Sequence, residues 1–170
     1  MSDGSNSAAS QSNSPPVLRV DGAVRNARSF SYEQLAALDE SAQFPDVRRV
    51  DPKRKGDAVR LAAVLERAGG LLPDARYLGL HAAADDFHAS IPLDAVLDRA
   101  LVIYRLDGQP LPFAAGGPFR LFIPDHHACR THEIDECANV KFVDHIEVTG
   151  EKGFDNRPHD EQEHAALHAK

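Results

Sequence analysis

The stretch from Ile91 to Pro124, IPLDAVLDRALVIYRLDGQPLPFAAGGPFRLFIP, constrains the fold most, because it combines a helix start, a hairpin and one cation inside an apolar strand. Leu101–Leu106 reads as a strand, Asp107-Gly108 as a tight turn, and Gly116-Gly117-Pro118 as a corner that returns the chain through Phe119–Ile123. Arg120 stands inside that returning strand. An unpaired buried charge is costly, so Arg120 calls for an anionic partner, either a protein carboxylate or a bound phosphate.

Local signals elsewhere are consistent with short helices among many strands. Ser31 and Gln34 have capping-box spacing and Phe30 and Leu35 that of a hydrophobic staple, so a helix is expected from Ser31 to about Leu38. Leu61, Val64, Leu65 and Ala68 form one apolar stripe at helical spacing, stopped by Gly69-Gly70. Phe44–Val50 is a candidate strand, Tyr77–Leu80 a second, and Val140–Thr149 the last; Pro92 suits the first turn of a helix through Leu97. Without regular alternation of strand and helix, this pattern predicts an α+β, strand-rich single domain.

The boundaries follow from composition. Residues 1–16, MSDGSNSAASQSNSPP, have no apolar periodicity and read as a disordered tail; residues 17–150 carry the domain; residues 151–170 form a polar C-terminal extension. In that extension His164 and His168 share a helical face, a pair that can bind metal but reads better as solvated. A net charge of -7 argues against nucleic acid or an anionic membrane as partner. With no export signal or spanning segment, the expected location is cytoplasmic, and the two cysteines read as thiols.

The order DG, Pro-Leu, Gly-x-Pro-x-Arg and a strand ending in Pro resembles the molybdopterin-binding domain of the sulfite oxidase family. Upstream, VLRVDGA, FSYEQLAAL, VRLAAVLERAG and DDFHASIPL fit the same order, and downstream Asn139-Val140-Lys141-Phe142 resembles the closing Val-Lys strand, so the likeness runs from Val17 to Thr149. The resemblance implies the sulfite oxidase-type fold, an oxidoreductase-like function and a molybdopterin/molybdenum cofactor. It places Arg120 and Lys141, both in strands, against the pterin and its phosphate, where two cations would grip a dianionic end through charge-assisted hydrogen bonds. Asn139 either adds an amide contact or closes a turn. A small-molecule ligand and an electron-transfer partner belong to the same expectation.

Two further groups of residues carry chemistry. His126, His127, Cys129, His132 and Cys137 fall in one loop with several carboxylates, donors enough for zinc as an alternative metal, although the spacing matches no knuckle motif. That loop reads equally as structural, or as holding a Cys129–Cys137 disulfide. Asp85, Asp86 and His88 form either an acid–base group or an ordinary turn.

The sequence also departs from the family. The region where it carries the cysteine that ligates molybdenum reads DVRRVDPKRKGDAV here, without cysteine, and Ala115 stands five residues before Arg120 where sulfite oxidases have histidine. Cys129 is then the candidate metal ligand, approaching from the opposite wall, while the catalytic residues stay unassigned. A non-enzymatic small-molecule or protein-binding module on the same fold is the alternative reading.

Overall fold

The structure, a computed structural model, describes residues 15–125 and 133–157. Two sheets organise it. The first has the order β2-β1-β10-β5-β6, formed by β1 (Val17–Gly22), β2 (Arg28–Ser31), β5 (Tyr77–Ala82), β6 (Phe87–Pro92) and β10 (His145–Thr149). Only β1 and β10 run parallel in it; the other pairs are antiparallel. The second sheet has β3 (Gln43–Phe44), β4 (Asp57–Arg60), β7 (Leu101–Leu106) and β8 (Gln109–Pro110) in that order, with β9 (Arg120–Phe122) also on β7. With three short helices among the described residues, α1 (Tyr32–Ala36), α2 (Leu61–Arg67) and α3 (Leu93–Val96), this is the α+β, strand-rich arrangement expected.

Strand alternation decides what is buried. In the first sheet Leu18, Val20, Leu78, Leu80, Ala89, Ile91, Ile146 and Val148 point inward and are fully buried. Val59, Val102, Tyr104 and Leu121 of the second sheet join the same core, together with Leu61, Val64 and Leu65 of α2. The opposite face of the second sheet buries Ala58, Leu101, Ile103 and Phe122 with Val47 and Leu111 in a smaller cluster. The second sheet is therefore covered on both sides, whereas the first offers a polar face.

Several local expectations hold. Ser31 and Gln34 make the reciprocal capping box of α1, which ends at Ala36, short of Leu38. Asp107 and Gly108 take positive φ values of 54° and 77°, the twist a two-residue hairpin needs between β7 and β8.

Two expected strands are shorter than the sequence suggests. Phe44–Val50 is strand only through Phe44: the next residue, Pro45, has no N–H to give a ladder, Asp46 is left-handed at φ 55°, and its carboxylate caps the 3₁₀ turn Val47–Arg49 by accepting Arg48 N–H. The closing strand starts at His145, so Lys141 is not in a strand. Val140 O still accepts Leu121 N–H of β9 and Val143 N–H donates to the carbonyl of Phe119 just before it, whereas Asp144 N–H donates to His81 O in the first sheet. The chain changes sheets between Val143 and His145. Gly153–Arg157, from the polar extension, bonds back along β6: Gly153 N–H reaches Ser90 Oγ, Asn156 N–H donates to His88 O, and Asn156 Oδ1 accepts His88 N–H.

Candidate functional site

The Gly116 corner gathers two of the cations the sequence singles out. After β8 the chain makes the 3₁₀ turn Phe113–Ala115, passes through Gly116 at φ 97° and enters β9 across a cis Gly117–Pro118 bond. Arg120 opens β9, half-buried, and its Nη1 donates to the Ala115 carbonyl at 3.3 Å. A Cβ on Gly116 would stand 2.9 Å from Arg120 Cδ and 3.1 Å from Lys141 Cγ, so the two side chains converge over a residue that has none.

The backbone that carries Lys141 to this place is irregular. Phe142 N–H donates to Gly116 O at 2.8 Å, and its φ of 60° sets the ring on Phe113, with centroids 4.3 Å apart and planes 15° apart. Phe113 is 67% exposed, so the corner shows an aromatic wall beside two cations. Asn139 lies at the far end of β9, buried, with its Oδ1 accepting Ile123 N–H at 2.7 Å. That bond ties down the end of the strand.

Cys129, with His126, His127 and His132, lies outside the described residues, as do His164 and His168. Cys137 sits partly buried in the 3₁₀ turn Glu136–Ala138. In the cysteine-free region 46–59, Val47 is buried in the smaller core cluster and the Arg54 guanidinium lies over Phe122 at 5.4 Å, while Ala115, before Arg120, packs against the same cluster. Among the described residues no group of three or more His, Cys, Asp or Glu is placed to hold a metal ion.

A second cluster lies on the polar face of the first sheet. Cross-strand register puts Ser29, Arg19, His145, His81 and His88 side by side on β2, β1, β10, β5 and β6. Asp21 and Glu147 form the neighbouring row, and at Gly79 the missing side chain leaves Glu147 room to reach His81. Adjacent imidazole centroids are 5.0 Å apart on both sides of His81. Arg19, Asp144, Glu147 and the three histidines line a cleft of about 610 Å³.

Hydrogen-bond partners determine most of the ring protons here. Arg19 donates to His145 Nδ1 at 3.1 Å, so His145 Nε2 carries hydrogen toward Asp21 Oδ1 at 2.6 Å. His81 Nε2 faces Glu147 Oε1 and His88 Nε2 faces Asp86 Oδ1, each at 3.1 Å, so both carry hydrogen. The two Nδ1 atoms face each other 2.8 Å apart. Burial holds the His81 pKa below its ordinary 6.5; Glu147 opposes that shift and the neighbouring His145 and His88 reinforce it.

The sequence names Asp85, Asp86 and His88 of this cluster; Asp85 sits in the 3₁₀ turn joining β5 to β6 and has no bond to the row among those described. His81, His145, Glu147, Asp21 and Arg19 are missed. A signal exists, since each falls at the polar positions of an alternating strand, but only strand order makes them neighbours. Beside them Arg157, 5% exposed, pairs with buried Asp155 at 2.7 Å and with Asp135 at 3.2 Å. Burial raises the Asp155 pKa, but hydrogen bonds from Arg157 and from the Ser90 and Arg157 backbones outweigh it, and the carboxyl stays below its usual range.

No curated protein matches the sequence. The crystal structure of the sulfane dehydrogenase SoxCD from Paracoccus pantotrophus is similar in fold, with a TM-score of 0.57 and 19% identity over 81% of this chain. The match spans 39% of that chain's length, so the present protein corresponds to a part of it. The family model for the oxidoreductase molybdopterin binding domain matches residues 54–156, which take in Arg120, Asn139, Lys141 and the strands that carry His81, His88 and His145. That span is more than half of the 170 residues, and it agrees with the two-sheet fold and with the order of motifs from Val59 onward. The chain belongs to the oxidoreductase molybdopterin binding domain family.

Proposed function

We propose that this domain binds molybdopterin at the Gly116 corner, with Arg120 and Lys141 gripping its phosphorylated end and the Phe113–Phe142 stack as the wall beside it. The convergence of the two cations over a glycine carries this reading, because a dianion needs donors from two directions and a Cβ at Gly116 would press on both side chains. Arg120 supplies a planar fork and Lys141 a mobile point charge. Asn139 acts indirectly, by holding the end of β9.

The donor set fits the anionic end of the cofactor better than its metal. Bound molybdenum supplies the redox chemistry of an oxidoreductase, and it is held by a soft thiolate in sulfite oxidases. Residues 46–59 contain no cysteine, which favours a second reading in which the domain binds the cofactor without turnover. Cys129 is the thiolate we propose for the catalytic reading, which also needs a small-molecule substrate and an electron-transfer partner.

The test is cofactor content. Protein co-expressed with the molybdopterin pathway is denatured, and the released pterin fluorescence is read beside elemental analysis for molybdenum and zinc. Wild type should release pterin and Arg120→Lys much less, at an unchanged melting temperature. Wild type that carries no pterin defeats the reading. Pterin with molybdenum that is lost in Cys129→Ser supports the catalytic form, and pterin without molybdenum supports the module without turnover.

A further inference from the structure

The His81–His88 pair does something that hydrogen bonding between neutral rings does not explain. In an ordinary neutral pair one Nδ1–H donates to the other Nδ1, and the donating ring is left with a bare Nε2 that needs a donor. Here both outer nitrogens face carboxylates, Glu147 Oε1 and Asp86 Oδ1, each at 3.1 Å. Both Nε2 atoms therefore carry hydrogen, and both Nδ1 lone pairs turn toward the same gap of 2.8 Å. Two lone pairs that face each other this closely repel unless a cation stands between them.

A proton satisfies that gap, and so does a metal cation. Imidazole bound to metal through one nitrogen, with its other N–H held by a carboxylate, is a recurrent arrangement that fixes ring orientation and strengthens the ligand. Both rings have that arrangement here. They are directly opposed across antiparallel β5 and β6, joined by the short turn Ala83–Asp85, so the spacing of their backbones is set before any ligand arrives. Two nitrogens bound at about 2.0–2.1 Å stand roughly 2.9 Å apart at a right angle and nearer ~3.4 Å at a tetrahedral one. The observed 2.8 Å suits the right angle once each ring tilts toward the cleft.

Geometry also narrows the ion. His145 has its two ring nitrogens engaged by Arg19 and Asp21, and no third side chain among the described residues completes a cage, so the other positions fall to water from the cleft of about 610 Å³. Two cis nitrogens with water oxygens are a tetragonal N,O set, which suits Cu²⁺ better than a closed zinc centre, and Cu²⁺ is also the strongest binder in the first-row series. We propose that His81 and His88 bind one Cu²⁺ ion through their Nδ1 atoms, with Glu147 and Asp86 orienting the rings, at a site on the first sheet separate from the Gly116 corner.

The probe is Cu²⁺ alone, added to full-length protein in a non-coordinating buffer. Electron paramagnetic resonance should show a tetragonal signal with splitting from two nitrogens. Paramagnetic broadening of imidazole NMR signals should begin at His81 and His88, a readout that needs no variant to fold. The double variant His81→Asn/His88→Asn should bind one equivalent fewer, and Glu147→Gln should bind about 10–100-fold more weakly. His145→Asn should keep the ion. If broadening spares His81 and His88, or if the double variant binds Cu²⁺ with unchanged stoichiometry and affinity, the assignment is wrong and the copper belongs to other histidines of the chain.

Discussion

The polar face of the first sheet and the Gly116 corner both gather charged side chains into one place, and they do so by opposite means. On the sheet face the backbone is regular: every second residue of β1, β10, β5 and β6 points outward, and register alone aligns Arg19, His145, His81 and His88. At the corner the backbone is irregular, with positive φ at Gly116 and Phe142, and Arg120 and Lys141 come together because no Cβ separates them. The sheet face pairs Arg19 and its histidines with Asp21, Asp86 and Glu147, so much of its polarity is matched within the protein. The corner presents an exposed lysine, an arginine and an open aromatic stack. A matched cluster suits a cation shared between rings, whereas converging cations suit an anionic ligand.

The largest effect is expected at Gly153–Arg157, the strap that runs along β6 at the edge of the first sheet. Asp155→Ala leaves Arg157, 5% exposed, with the half-exposed Asp135 as its carboxylate partner among the described residues, and loss of one partner of a buried pair costs about 3 kcal/mol at the lower end of the usual range. Urea unfolding measures this. A cost below ~1 kcal/mol would mean that the strap is not part of the folded unit. The variant should retain as much pterin as wild type, since Asp155 bonds to Ser90 and Arg157 on the first sheet and not at the corner.

Two glycine substitutions sharpen the contrast. Gly116→Ala puts a Cβ at a left-handed residue and against Arg120 and Lys141, so it should cost about 1–3 kcal/mol and also lower pterin retention. Gly79→Ala sits in regular strand, 3.0 Å from Glu147 O and 3.2 Å from His81 Nε2, so it should cost less and change only the sheet face. Equal losses of stability with intact pterin retention in both would erase the distinction between the two regions.

The smallest effect is a pH dependence confined to the sheet face. Burial places the native His81 pKa below 6.5, so the unfolded chain binds more protons in that window and stability rises with pH. The contribution is complete above about pH 6.5, the unfolded value, and is lost as pH falls through the native one. Denaturant midpoints between pH 7.5 and 5.5 should show a slope that His81→Gln reduces. A slope that survives in His81→Gln would move its source elsewhere.

What the sequence by itself determined is local or repeats along the chain. The capping box of Ser31 and Gln34, the stripe on α2, the Asp107-Gly108 hairpin and Arg120 in a returning strand depend on residues a few positions apart, and all are present. The ordered motifs were enough to indicate the family and the α+β class. Only the tertiary structure decided that Lys141 leaves the strand pattern and folds over Gly116, because apolar residues at 140 and 143 read the same whether they pair with one sheet or bridge two. Only it assembled the histidine row, since β10 slots between β1 and β5 and brings His145 to Asp21 across 124 positions of chain. Alternation tells which face a residue takes within its own strand; which strands become neighbours, and in what register, is settled by how the whole core packs.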